Sequence, residues 1–161
     1  RTMESKPHLD SFKAFGASPL PMAYSELYTG LETGIIDGAE AANSNYYSKK
    51  FYEVAPYWAQ IGWLRLVAPV IMSKVFYDGL PRDLQHIVNQ TLGELINYER
   101  ELYTDISTNR LKQLKELGVI ITYPDPKPFR AASQDVYKEW ADKVGGWGLI
   151  NKIQNFNYLR S

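Results

Sequence analysis

Ser25-Glu26-Leu27-Tyr28-Thr29-Gly30-Leu31-Glu32-Thr33-Gly34-Ile35-Ile36-Asp37-Gly38 is the stretch whose reading decides the fold. Ser25 is placed to cap a helix, Glu26 suits its first turn, and Leu27, Tyr28 and Leu31 share one face. Gly34 stops the helix, and Ile35-Ile36 reads as a short buried strand closed by the Asp37-Gly38 turn. Helix, glycine stop and short apolar strand are the units of an α/β domain.

Outward from this stretch the same signals recur. Toward the N-terminus, Leu9, Phe12 and Phe15 at spacing three predict a helix over 9–15, stopped by Gly16 and followed by an extended Pro19-Leu20-Pro21 segment. Toward the C-terminus, Tyr47, Phe51, Val54 and Trp58 predict an aromatic helix over 45–59, which Pro56 must kink or end. Residues 64–73, rich in Leu, Val and Ile, predict a strand that Pro69 confines to an edge or a crossing point, or else splits into two strands. The most persistent pattern follows: Leu84, Ile87, Val88, Leu92, Leu95, Ile96, Leu102, Ile106, Leu111 and Leu114 keep helical spacing to Gly118. A helix over 82–117 would be about 54 Å long, more than a small domain spans, so it must bridge two packing units or kink near Glu99. A β-branched strand over 119–122, a helix over 129–144 broken by Gly145-Gly146-Trp147-Gly148, and a short helix over 149–156 complete the expectation.

The 161 residues carry 18 Lys+Arg against 18 Asp+Glu, with no basic run, which removes the electrostatic footprint of nucleic-acid binding. With 45% hydrophobic residues the chain is too apolar to be disordered. Its most apolar stretch, 61–76, is broken by Arg65, Pro69 and Lys74, so no membrane-spanning segment is expected. There is no cysteine, which excludes disulfides and thiolate chemistry and fits an oxidising compartment. No signal peptide is visible at the start of the chain.

Catalytic patterns are absent from the sequence. His8, after Pro7, and His86, on the long helix, have no His or carboxylate at metal-ligand spacing. Neither the G-x-S-x-G elbow nor a phosphate-cradling glycine loop occurs. Asp37 and Glu40, in a turn after a strand, suit either a solvated turn and helix cap or an acid/base pair. The aromatics Tyr24, Tyr46, Tyr47, Tyr57, Trp58 and Trp63 suit either a core or a small-molecule cleft.

The order of five motifs is more specific. Arg1, then Gly16-Ala17-Ser18-Pro19-Leu20-Pro21-Met22-Ala23-Tyr24 with Ser25-Glu26-Leu27-Tyr28, then Leu31-Glu32-Thr33-Gly34-Ile35-Ile36-Asp37-Gly38-Ala39-Glu40, then Lys50-Phe51-Tyr52-Glu53-Val54 resembles the periplasmic solute-binding proteins of tripartite ATP-independent periplasmic (TRAP) transporters. Leu80-Pro81-Arg82-Asp83 matches the helix start that follows in that family. The resemblance implies an α/β, periplasmic-binding-protein-like two-lobed fold, of which this chain is mainly the second lobe plus a long lobe-bridging helix. Residues 1–66 and 107–161 would form the second lobe, and 67–106, with the first part of the long helix, would belong to the first. The chain would be the C-terminal portion of a periplasmic protein that is no enzyme.

By the same resemblance, the ligand is an organic acid handed to TRAP membrane permease subunits, without nucleic acid, stable membrane insertion or cofactor. Arg1 would hold the ligand's carboxylate, for which a forked guanidinium is suited. Tyr24 would stack on the ligand or hydrogen-bond it. Ala41 stands where the family carries a ligand-contacting Asn, and Trp63 stands where many members carry His. Both changes make the cleft less polar, so an acid with an apolar or aromatic body is expected. Glu40 occupies a position that helps hold a cation in some 2-oxo-acid binders, although no second metal ligand is found here. Two other readings stay open: an enzyme domain using Asp37 and Glu40 as acid and base, and a lobe that contacts another protein through its aromatics.

Overall fold

The structure, a computed structural model, describes residues 1–156. It divides into two compact units, one formed by 1–40, 59–63 and 122 onward, the other by 41–58 and 64–121.

The first unit begins with Thr2, fully buried, in a parallel bridge to Pro21. Helix α1 (Lys6–Ala14) starts earlier than the apolar spacing predicts, because Pro7 at its first turn has the helical φ already set and no N–H to lose. It ends at Gly16, whose φ of 88° lets Gly16 N–H and Ala17 N–H turn back onto the Lys13 and Phe12 carbonyls. The helix predicted from Ser25 begins as a 3-10 turn, Tyr24–Glu26, before α2 (Leu27–Glu32), and no side chain caps either start. No strand forms at Ile35-Ile36. The Ile36 N–H instead bonds back to the Gly30 carbonyl at 3.2 Å, and its buried side chain lies on Gly30, where an added Cβ would sit 3.3 Å from it. The predicted helix over 129–144 is three pieces, α6 (Pro126–Ala132), α7 (Gln134–Trp140) and a 3-10 turn, Ala141–Val144. Ser133 terminates α6, its Oγ donating to the Phe129 carbonyl at 2.8 Å, in the back-bonding that bends helices. Gly145, left-handed at φ 101°, ends the 3-10 turn as expected and also caps the start of α8 (Gly146–Gln154), so 146–148 are helical and not part of the break. Phe15 meets Phe129 edge to face at 5.2 Å, and Trp140 Nε1 donates to Asp10 at 3.2 Å, which seats α6 and α7 on α1.

In the second unit, the predicted aromatic helix is only α3 (Asn43–Ser48). It stops well before Pro56, because Lys50 takes a left-handed conformation with φ 56° and the chain reverses into the 3-10 turn Phe51–Glu53. Phe51 is buried there and holds the reversal in place. Trp58 stacks on Tyr46 at 4.2 Å, its Nε1 donates to Asn43 Oδ1 at 2.8 Å, and Asn43 Nδ2 donates to Ser107 at 3.0 Å. Arg110 lies over the Tyr47 ring at 4.3 Å. These contacts fasten the C-terminal half of α5 (Arg82–Glu116), an unbroken helix of 35 residues and about 52 Å. Its sequence therefore needs no break at Glu99.

Strands β1 (Tyr57–Ala59) and β2 (Ile120–Thr122) make the two-stranded sheet. Ile120 N–H bonds to the Pro56 carbonyl and Gln60 N–H to the Thr122 carbonyl, so partner numbers rise together and the strands are parallel. Residues 64–73 form no strand. A strand needs a ladder partner for its N–H and C=O groups, and the two-stranded sheet of β1 and β2 does not include this segment. Among the described residues no helix is long and apolar enough to cross a membrane.

Candidate functional site

Arg1 is the best-organised charged residue of the first unit. Its main-chain nitrogen donates to the Gly38 carbonyl at 2.7 Å, which fixes the chain entering Thr2. Its guanidinium is gripped on two nitrogens: Nε donates to the Met22 carbonyl at 2.9 Å and Nη1 to Glu40 Oε1 at 3.0 Å. The Tyr24 ring supports the cation from 5.4 Å. Nη2 donates to no protein atom among the described residues. The Arg1 side chain is only 5% exposed and that of Glu40 16%, so the pair lies in a medium that screens it far less than water does.

The local sequence explains the arrangement. Pro19 and Pro21 extend the chain, which places the Met22 carbonyl and Tyr24 beside the strand-like entry of Arg1 and Thr2. The turn at Asp37-Gly38 brings Glu40 back to the same place. Burial pushes the Glu40 carboxyl above its ordinary range, and the Arg1 guanidinium pulls it back only in part. Asp37, by contrast, is exposed. Among the described residues no group of three His, Asp or Glu side chains is arranged to hold a metal.

Trp63 is half-buried and edge-packed on two rings of α1, His8 at 5.1 Å and Phe12 at 5.0 Å, and on Phe15 just past its end at 6.4 Å. Arg1, Tyr24, Glu40 and Trp63 all fall in the first unit, while Ala41, partly buried, opens the second. The structure thus joins Arg1 to Tyr24 and to Glu40 by direct contact, and Trp63 to helix α1. Sequence reasoning missed one participant: the Met22 carbonyl leaves no side-chain signal at all. A shallow groove on the second unit, along Ile106, Arg110 and Gln113, has walls from α5 alone and includes none of the sequence-predicted site residues.

A guanidinium with Nε and Nη1 committed and Nη2 uncommitted can accept a carboxylate without changing its own orientation. Residues 1–143 match the family described as bacterial extracellular solute-binding protein, family 7 (DctP). The chain is 35% identical over 133 residues to the 2,3-diketo-L-gulonate-binding periplasmic protein YiaO of Escherichia coli (strain K12), a match covering 82% of this chain and 40% of YiaO. It is 30% identical over 145 residues to the sialic acid-binding periplasmic protein SiaP of Vibrio cholerae, covering 90% of this chain and 45% of SiaP. Among solved structures, a TRAP periplasmic solute binding protein from Pseudomonas putida F1 with bound D-glucuronate superposes with a TM-score of 0.86 at 28% identity, over 96% of this chain and 50% of that one. The chain spans about half the length of the curated relatives it matches. It has the fold of part of a TRAP solute-binding protein, and it belongs to the bacterial extracellular solute-binding protein family 7.

Proposed function

We propose that this chain supplies the carboxylate-holding lobe of a periplasmic TRAP solute-binding protein, which captures an organic acid and delivers it to a membrane permease. The observation that carries the reading is Arg1: nearly enclosed, oriented by Met22 and Glu40, and left with Nη2 uncommitted. In this role Arg1 binds the ligand's carboxylate, Tyr24 and Trp63 shape the walls beside it, Ala41 leaves room, and Glu40 keeps the guanidinium in position. Relatives named for binding diketogulonate and sialic acid, and a neighbour holding D-glucuronate, support an organic acid as the ligand class. On this reading the chain is not an enzyme and needs no cofactor. The acid/base reading of Asp37 and Glu40 gains no support, because Glu40 is tied to Arg1 and Asp37 faces solvent.

Residues 67–106 are proposed to complete a first lobe, with α5 running from one lobe to the other, and 1–66 with 107–161 to form the second. Support comes from the bare apolar side chains of that segment, among them Val67 at 85% and Ile71 at 86% exposure. Two lobes closing on a ligand would enclose the acid between them.

The test is calorimetry on the full-length protein, using the small acid identified by mass spectrometry of natively purified material. One hydrogen bond to a charged group contributes about 1.5–3 kcal/mol, and a forked pair more, so Arg1→Ala should weaken binding by roughly 100-fold or more. Arg1→Lys should not restore it, since an ammonium cannot fork. A loss below about fivefold for Arg1→Ala would sink the assignment.

A further inference from the structure

Both segments that hold Arg1 rest on one buried glycine. Gly30 lies inside α2, where glycine is less favourable than alanine, and its open side is filled by two side chains. A Cβ added there would sit 3.1 Å from Met22 Sδ and 3.3 Å from both Ile36 Cδ1 and Ile36 Cγ1. Met22 belongs to the first segment, and its carbonyl takes Arg1 Nε at 2.9 Å. Ile36 belongs to the second, and its N–H bonds the Gly30 carbonyl at 3.2 Å. Further along that second segment the Gly38 carbonyl takes the Arg1 main-chain nitrogen and Glu40 takes Nη1. The two halves of the grip come from either side of α2 and share a single seat on it.

We infer that the Met22 side chain is a positioning residue of the Arg1 site: seated with Ile36 on Gly30, its thioether fixes the Met22 carbonyl against Arg1 Nε and so aims the guanidinium at the ligand's carboxylate. The inference rests on the carboxylate reading of Arg1 and adds what sets the orientation of that group.

Three arguments select the side chain. Every residue has a main-chain carbonyl, so the identity of residue 22 acts on the grip only through where its side chain is anchored. The bridge between Thr2 and Pro21 is an isolated one and does not extend to the Met22–Ala23 peptide, whose carbonyl holds Nε, whereas the thioether is packed against a buried helix face. An unbranched thioether with three rotatable bonds also suits the irregular crease between a helix and an incoming chain, which a shorter or β-branched side chain leaves partly empty. The consequence for binding follows from the fork. Arg1 takes one acceptor from each segment and its side chain is only 5% exposed, so a change in the spacing of the segments turns the guanidinium plane, and binding groups must be held to within about 0.5 Å to act.

The experiment uses the full-length protein with isotope-labelled arginine, at a temperature where every variant is folded. Water exchange of the Arg1 Nε proton is read by NMR, its signal assigned as the one that Arg1→Lys removes. Calorimetry reads binding of three probe acids, D-glucuronate, succinate and phenylacetate. Met22→Ala should speed that exchange by about tenfold or more, the size of one hydrogen bond to a charged group, and weaken by a similar factor whichever probe acid binds wild type. Met22→Val draws the side chain back from Gly30 with less loss of volume; it should move both readouts the same way by about threefold, and it carries the test if Met22→Ala does not fold. Met22→Leu keeps the volume and should recover most of both. Leu114→Ala, a truncation at a fully buried position of the second unit, should lower the melting temperature and leave both readouts where they are. The proposal is overturned if exchange is unchanged in Met22→Ala and Met22→Val, if Leu114→Ala matches their effect, or if exchange quickens while acid binding stays as tight; each of these removes the Met22 role and keeps the carboxylate site. Undiminished acid binding in Arg1→Lys, or no binding of any probe acid to wild type, removes the carboxylate reading and the Met22 role with it.

Discussion

The Arg1 guanidinium is nearly enclosed and gripped on two nitrogens, whereas from Leu64 to Ile106 the chain leaves a long run of large apolar side chains bare. Leu66, Val67, Val70, Ile71, Val75 and Phe76, and after them Ile87, Leu95, Ile96 and Leu102 of α5, all face solvent. The same helix becomes a packed element only where Ser107 and Arg110 meet Asn43 and Tyr47 of α3. Apolar spacing is continuous through both halves of α5, so the difference lies in what is present to cover each half. Regular patterning states that a surface is meant to be buried, and tertiary contacts state whether it is.

The comparison can be broken at the packed end first. Glu40→Ala strands the enclosed Arg1 guanidinium and should cost about 3–5 kcal/mol, read by urea or thermal unfolding. Glu40→Gln keeps an acceptor on Nη1 and should cost less. A carboxyl raised above its unfolded value binds more protons folded than unfolded, so its contribution is full below about pH 4.5 and is lost as pH rises through the folded value. Wild type should therefore gain on Glu40→Gln as the solution is acidified. Equal pH profiles for the two would show that Glu40 is not held as described.

A middle-sized effect is expected where α5 changes from bare to packed. Asn43→Ala takes the acceptor from Trp58 Nε1 and the donor from Ser107, and should destabilise by about 1–3 kcal/mol in the same unfolding measurement. A change within experimental error would mean that the stacked Tyr46 and Trp58 rings hold α3 without it.

The smallest effect belongs to the bare stretch. Ile71→Asp in this chain alone should change stability by no more than about 0.5 kcal/mol, since nothing packs on Ile71. Joined to a first lobe that covers it, the same substitution should cost about 2–5 kcal/mol, the range for losing a buried large apolar side chain. Equal small effects in both settings would show that residues 67–106 are not part of a first-lobe core.

Much of this was readable from local chemistry. Pro7, Gly16, Gly34 and Gly118 mark element ends because their φ angles or missing N–H groups act on the residues next to them, whatever the rest of the chain does. Helix α5 was readable from spacing, and the ordered motifs around Arg1, Tyr24 and Glu40 pointed to the family. Two expectations failed for a common reason. The strand at Ile35-Ile36 and the long aromatic helix after Asn45 were judged by hydrophobicity, which does not distinguish a side chain that plugs a helix end, as Ile36 does on Gly30, from one in a ladder. The break at Lys50 carried no glycine or proline to announce it. Burial of Phe51 holds that left-handed residue, and burial is a property of the assembled fold.

The sequence by itself determined the helix ends at Gly16, Gly34 and Gly118, the long helix and the family membership, because glycine stops, spacing and motif order are properties of neighbouring residues. Only the tertiary structure decided that Glu40 grips Arg1, that a main-chain carbonyl at Met22 shares the grip, and that Trp63 turns to α1 with His8 against it. Each of these joins groups 21 to 55 residues apart, and a contact at that separation depends on how loops close and which faces are enclosed, which no local pattern encodes.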